Sequence, residues 1–273
     1  MKNTRIGGAV RLLAYGCMTI AAILTMHFCI RIFVTDSFCI PSTSMCPTLN
    51  PGDRIRVNKF LFGARIYRNF DFSREAGLDC FRMPGLRNIR PGDIIVFNFP
   101  FGYDDWSRIE FRINYVFCKR VLGCPGDTIG IAGGRCWNAA SNGIIGVAER
   151  QQALADTSDS VFISNRCFTS IPLSMPVWNI RDMGPLKVPA KGMTIAMTSF
   201  NAALYGLSIE YETGKRLSGN EGTGFFLDGE PLVQYSFCQN WYFALGDNSP
   251  DSMDSRYWGF IPEPFIIGIV SGV

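Results

Sequence analysis

The chain has 273 residues, with 26 Lys+Arg against 23 Asp+Glu for a formal net charge of +3. So small an excess, without a basic run, makes no case for nucleic acid, while 47% hydrophobic and 18% charged residues point to a membrane segment or an apolar working surface. The single histidine, His27, leaves no three-histidine metal site, and if it is unavailable any hydrolytic chemistry must use a base other than the imidazole of Ser-His-Asp and Cys-His catalysis.

Residues 12–30 (LLAYGCMTIAAILTMHFCI) carry no formal charge. As a helix they span roughly 28 Å, about one hydrocarbon thickness. His27 lies inside the run and reads as a neutral membrane-helix residue. Lys2, Arg5 and Arg11 precede it and the first acid is Asp36. The positive-inside rule then keeps residues 1–11 in the cytoplasm, makes 12–34 a transmembrane anchor and puts the rest on the outer face of the cytoplasmic membrane. A cleavable signal peptide is the rival reading. The length of the run speaks against it, as does the lack of an A-x-A-like site in RIFVTDSFCIPS. The end of the chain, FIIGIVSGV, is too short for a second span.

Beyond residue 50 the chain reads as short β-runs between turns. Three turns share one signature: Asn50-Pro51-Gly52-Asp53, Arg90-Pro91-Gly92-Asp93 and Cys124-Pro125-Gly126-Asp127. Strands are expected over 54–60, 93–100 and 116–123, with a hairpin in TIGIAGGRCWN. Residues 138–185 are weakly patterned and suggest long loops. SFNAALYGLSIEYE suggests a short helix, and strand-like runs return at 235–245 and 265–270. The fold class is therefore mainly β, with a core interrupted by a middle insertion. The cysteines form no C-x-x-C pair; those after the anchor read as disulfide partners or as buried thiols.

Three segments carry chemistry. Ser44 stands in a proline-bracketed segment, Pro41 to Pro47, where an ordinary loop serine is the plain reading. Lys119 lies in YVFCKRVLG with apolar residues on both sides. It is either an outward-facing lysine on a half-buried strand or a buried one. Burial penalises the ammonium, lowers the pKa from about 10.4 and leaves a neutral amine able to deprotonate a serine hydroxyl. The third segment, GDNSPDSMDSRYWG, offers Asp247, Asn248, Asp251 and Asp254 as oxygen ligands, but lacks the EF-hand glutamate.

Together these segments resemble the bacterial type I signal peptidases. The serine box, F-x-I-P-S-x-S-M-x-P-T-L, is matched at Phe38 to Leu49, and G-D-x-[IV]-x-V-x-K at Gly52 to Lys59. R-x-G-D-[IV]-[IV]-V-F is matched at Arg90 to Phe97, and K-R-x-x-G-x-P-G-D at Lys119 to Asp127. The final box, ending D-S-R-x-[WY]-G, is matched at Gly246 to Gly259.

The resemblance implies an antiparallel β catalytic core, residues 35–128 and 238–273, interrupted by a variable β-rich domain at 129–237. It implies a Ser-Lys dyad with Ser44 as nucleophile and Lys119 as general base. Ser42 would complete the oxyanion hole with the Ser44 N–H, Ser252 would orient the lysine amine, and Asp254 and Arg256 would form a supporting ion pair. Phe38, Ile40, Met45, Leu49, Phe117 and Cys118 fall where the family lines its apolar pockets for small residues. The implied partners are signal-peptide-bearing preproteins and the lipid bilayer, with no cofactor, metal or nucleic acid.

The sequence departs from the family pattern at Thr43, where a glycine is common, at Cys46 and Cys118, and at Ser249-Pro250-Asp251. An apolar surface near the bilayer is expected around Phe38 to Ile40 and Phe97 to Tyr103, where core packing explains the aromatics equally well. The same motifs also fit a specialised protease with few substrates, such as conjugative-transfer or surface-system proteins, or an inactive membrane-tethered module.

Overall fold

The computed structural model describes residues 2–71, 78–103, 105–158 and 178–272. Cys167, much of the stretch read as loops, and the side chains of Lys2 and Arg5 lie outside the described residues. Helix α1 (Lys2–Cys29) runs through one π-type turn, Ile30–Val34, directly into β1 (Thr35–Cys39). Its apolar side chains from Leu12 onward face outward, and residues 11–34 are long and apolar enough to cross a membrane. The end of this candidate span is tied down: Lys59 Nζ donates to the Arg31 carbonyl at 2.8 Å and to Asp36 at 3.1 Å, and Arg31 pairs with Asp36 at 3.0 Å.

The strands follow as β2 (Arg54–Asn58), β3 (Arg65–Tyr67), β4 (Cys80–Arg82), β5 (Ile94–Asn98), β6 (Val116–Gly123), β7 (Thr128–Ala132) and β8 (Arg135–Asn138). Helix α2 (Ala148–Asp156), β9 (Met183–Lys187), β10 (Thr194–Ala196) and helix α3 (Ser199–Thr213) come next. The chain then forms β11 (Leu217–Asn220), β12 (Gly224–Leu227), β13 (Glu230–Pro231), β14 (Gln234–Ser236), β15 (Trp241–Leu245), β16 (Ile261–Pro262) and β17 (Ile266–Ser271). An antiparallel seven-stranded sheet of order β1-β2-β17-β5-β6-β15-β16 carries the site. The fold is mainly β.

The three P-G-D turns share one construction. Gly52, Gly92 and Gly126 sit at φ of 94°, 93° and 87°, the conformation that the third position of a type II turn demands. In each turn the aspartate carboxylate accepts the amide of the residue three back: Asn50, Arg90 and Cys124, at 2.7, 2.8 and 2.9 Å. These turns begin β2, β5 and β7, which is why the strands start where the sequence places them.

Alternation along β5 and β6 divides the core. Ile95 and Phe97 pack with Val121, Tyr242, Trp258 and Phe265 on one face, and Val96 packs with Ile40, Met45, Leu49 and Ile55 on the other. Phe97, Phe99 and Phe101 are fully buried, so core packing is their role; of that segment, Tyr103 is exposed. A third cluster lies under the middle of the chain, where Leu122, Ile129, Tyr205, Ile209, Trp241 and Phe243 meet. Part of the stretch expected as loop is instead helix α2. The sequence AERQQALAD buries only Gln151 and Leu154, too short an apolar stripe to show a helical period. The nine cysteines among the described residues are free thiols.

Candidate active site

Ser44 sits in a single 3-10 turn, Thr43–Met45, with Met45 buried beneath it. Lys119 is at the middle of β6, paired across from Ile95 and only 3% exposed. Its Nζ donates to Ser44 Oγ at 2.6 Å across 75 residues of sequence. Burial holds the amine below the usual lysine range, and the nearby Asp254 carboxylate offsets part of that effect. Of the two readings of Lys119, the buried one is found.

The hydroxyl of Ser42 lies 3.2 Å from Ser44 Oγ, on the exposed side of the turn. Below the site, Asp254 and Arg256 form a fully buried pair at 2.8 Å. The carboxylate accepts from Arg256 Nε and Nη2 and from the Gly246 amide. Burial alone would raise the Asp254 pKa, but Arg256 and these hydrogen bonds bring it below the usual carboxylate value. Arg256 Nη2 also donates to the Ser249 carbonyl at 2.9 Å, so the pair clamps the loop preceding it.

Ser252 departs from expectation. Its hydroxyl is buried with no hydrogen-bond partner, and no bond joins it to Lys119. Oγ crowds the Cα of Gly246, where any Cβ would overlap it.

The expected pocket residues divide. Phe38, Ile40, Met45, Leu49 and Cys118 fall in one cluster, with Phe38 and Cys118 half-buried at its surface. Phe117 does not join them. Successive strand residues point to opposite faces, so Phe117 shares the face of Lys119 and Val121 and stacks on Phe99 at 4.5 Å. Its ring lies 5.5 Å from Lys119 Nζ, within reach of a cation–π contact with the protonated amine. Burial pushes the Cys118 thiol up to about 12, so it is a neutral apolar neighbour of the site.

The residues that hold the two halves of the site together were not singled out for that role from sequence. Asp247 accepts from Arg120 Nε and Nη2, each at 2.7 Å, and from Thr48 Oγ1, which joins the lysine strand to the serine segment. The Asn248 amide donates to the Ser44 carbonyl at 3.0 Å and its Nδ2 to the Thr43 carbonyl at 3.1 Å. Asp247 and Asp254 thus spend their oxygens on guanidinium groups rather than offering them to a cation. The available signal was the residue types themselves: an arginine beside the lysine, and G-D-N closing a buried strand.

The family model for the signal peptidases of peptidase family S26 matches residues 12–160 and 215–273. This chain belongs to that family. It is 31% identical over 264 residues to a signal peptidase I of Buchnera aphidicola subsp. Baizongia pistaciae, covering 91% of this chain and 72% of that protein. It is 37% identical to one of Pseudomonas aeruginosa over 90% of this chain and 66% of the relative. A third, from Leptolyngbya laminosa, is 33% identical over 93% of this chain and 75% of its own length. Among solved structures, a signal peptidase I of Enterococcus faecalis V583 is 18% identical, covers 68% of this chain and 98% of its own, and has a TM-score of 0.30, too low to carry any argument. Ser44, Lys119, Asp247, Asp254 and Arg256 all lie within the matched residues.

Proposed function

We propose that this chain is a membrane-anchored serine endopeptidase that removes N-terminal signal peptides from exported preproteins, with Ser44 as nucleophile and Lys119 as general base. The observation that carries the proposal is the 2.6 Å contact between a buried lysine amine and Ser44 Oγ in a signal peptidase family member. Desolvation favours the neutral amine, whose lone pair takes the Ser44 proton as Oγ attacks the scissile carbonyl. Ser42 Oγ and the Ser44 N–H donate to the oxyanion that forms. The protonated Lys119 then delivers its proton to the leaving amine, and a water activated by the same lysine hydrolyses the acyl-enzyme. Ser252 enters this scheme by rotating its free hydroxyl toward the amine.

Phe38 and Cys118, backed by Ile40, Met45 and Leu49, make a shallow apolar surface suited to small side chains. The core comprises residues 35–128 and 238–273, with 129–237 inserted, and α1 holds it on the outer face of the cytoplasmic membrane. Ser44→Ala and Lys119→Ala, each in the full chain, abolish cleavage of an exported preprotein without lowering the melting temperature by more than a few degrees. Normal cleavage by Lys119→Ala would refute the dyad.

A further inference from the structure

Two of the chain's departures from the family pattern meet in space. Thr43, at the position where a glycine is common, donates its Oγ1–H to Asp251 Oδ2 at 2.9 Å, across 208 residues of sequence. We propose that Thr43 and Asp251 are a pair of positioning residues that lock the nucleophile turn, in place of the freedom a glycine would give it. The inference rests on Ser44 acting as the nucleophile.

Most exposed hydrogen bonds contribute little, because both partners must be ordered to make them. Here the acceptor is ordered beforehand. Asp251 closes the 3-10 turn Ser249–Asp251, its amide bonded to the Asn248 carbonyl at 2.9 Å, and Pro250 restricts the backbone between. Arg256, itself buried against Asp254, holds the Ser249 carbonyl from below, and helix α2 packs against the same turn. The donor is restricted as well, since β-branched threonine has few side-chain rotamers.

Asn248 Nδ2 already holds the Thr43 carbonyl and the Asn248 amide holds that of Ser44. The Thr43 hydroxyl adds a third tether, to Asp251. Its target is the orientation of the Ser44 N–H and of Ser42 Oγ, the two groups assigned to the oxyanion. Donors aimed in advance lower the barrier without tightening ground-state binding, so the effect falls on kcat rather than KM. The inserted helix α2 gains a role too: it backs the post to which the turn is tied.

The test is a double-mutant cycle on the full chain in liposomes, with kcat and KM measured on a purified preprotein. Thr43→Val keeps the branched shape and removes the donor, and Asp251→Ala removes the acceptor. Each is expected to lower kcat by about threefold to tenfold with KM within twofold, and the double variant no further than either single one. Thr43→Ser restores most of the rate lost in Thr43→Val, and melting temperatures stay within a few degrees. Singles that leave kcat unchanged, or losses that multiply in the double variant, overturn the pair while the wild-type chain still cleaves. A wild-type chain that leaves the preprotein as uncut as Ser44→Ala does overturns the proposed function, and the pair with it.

Discussion

Gly246→Ala probes the site where the final loop touches the nucleophile turn. A Cβ on Gly246 would lie 2.5 Å from the Ser44 carbonyl oxygen and 2.6 Å from Ser252 Cβ, and would overlap Ser252 Oγ. The serine hydroxyl can rotate away, but the carbonyl cannot, being backbone that also accepts the Asn248 amide. Ordinary contact begins near 3.4 Å, so Ser44 or β15 must yield by about 0.9 Å. A misplacement near 1 Å at a reacting group costs on the order of a hundredfold in rate, and overpacking of this kind costs roughly 1–3 kcal/mol of stability. The expected result is a folded Gly246→Ala chain with kcat down about a hundredfold and KM little changed, read from preprotein cleavage in liposomes. Adding Ser252→Ala removes the overlap with Oγ but leaves the clashes with the Ser44 carbonyl and with the Cβ at position 252, so it does not restore the rate. A kcat within threefold of the parent would refute the reasoning, since the turn would then tolerate displacement.

Three further outcomes follow from charge. With Lys119 as the proposed base acting through its neutral amine, and burial lowering its pKa, kcat/KM is expected to rise with pH through one ionisation whose midpoint lies below the ordinary 10.5. A midpoint at or above that value contradicts the buried-amine mechanism. Lys119→Met removes a desolvated ammonium, so by denaturant melts it is more stable than the parent below the folded lysine pKa. The gain shrinks as pH rises toward 10.5, where the unfolded lysine also loses its proton. A gain that grows with pH has the wrong sign. Asp254, its pKa lowered chiefly by Arg256 against the opposing effect of burial, contributes stability above pH 3.8 that is lost as pH falls through its folded value. Asp254→Asn leaves Arg256 buried and unpaired, costs about 3–5 kcal/mol at neutral pH and flattens the acid limb of the melting profile.

The local elements were legible wherever a turn or a period announced them. The three P-G-D turns follow from what proline, glycine and aspartate do to a backbone, and β6 runs over the residues that its apolar pattern marked. Helix α2 was hidden because its polar composition leaves only one turn of buried side chains. Phe117 and Cys118 were both placed at the apolar pockets by the family resemblance, and as neighbours in a strand they face opposite ways, into different clusters. Thr43 and Asp251 each stood out as a departure, and nothing in a linear chain says that they touch.

The sequence by itself pointed to the family and to the candidate residues. One histidine, His27, falls within α1, the candidate membrane span, so the sequence left a lysine or an acid as the candidate base, and the motifs around Ser44 and Lys119 pointed to one lysine. Motifs follow residue types, and residue types fix what a group can donate, accept or titrate. The tertiary structure decided whether Lys119 is buried, which partners spend the aspartates, and which departures meet. Those are properties of distance and solvent exclusion, and they arise only when segments 75 and more residues apart close on one another.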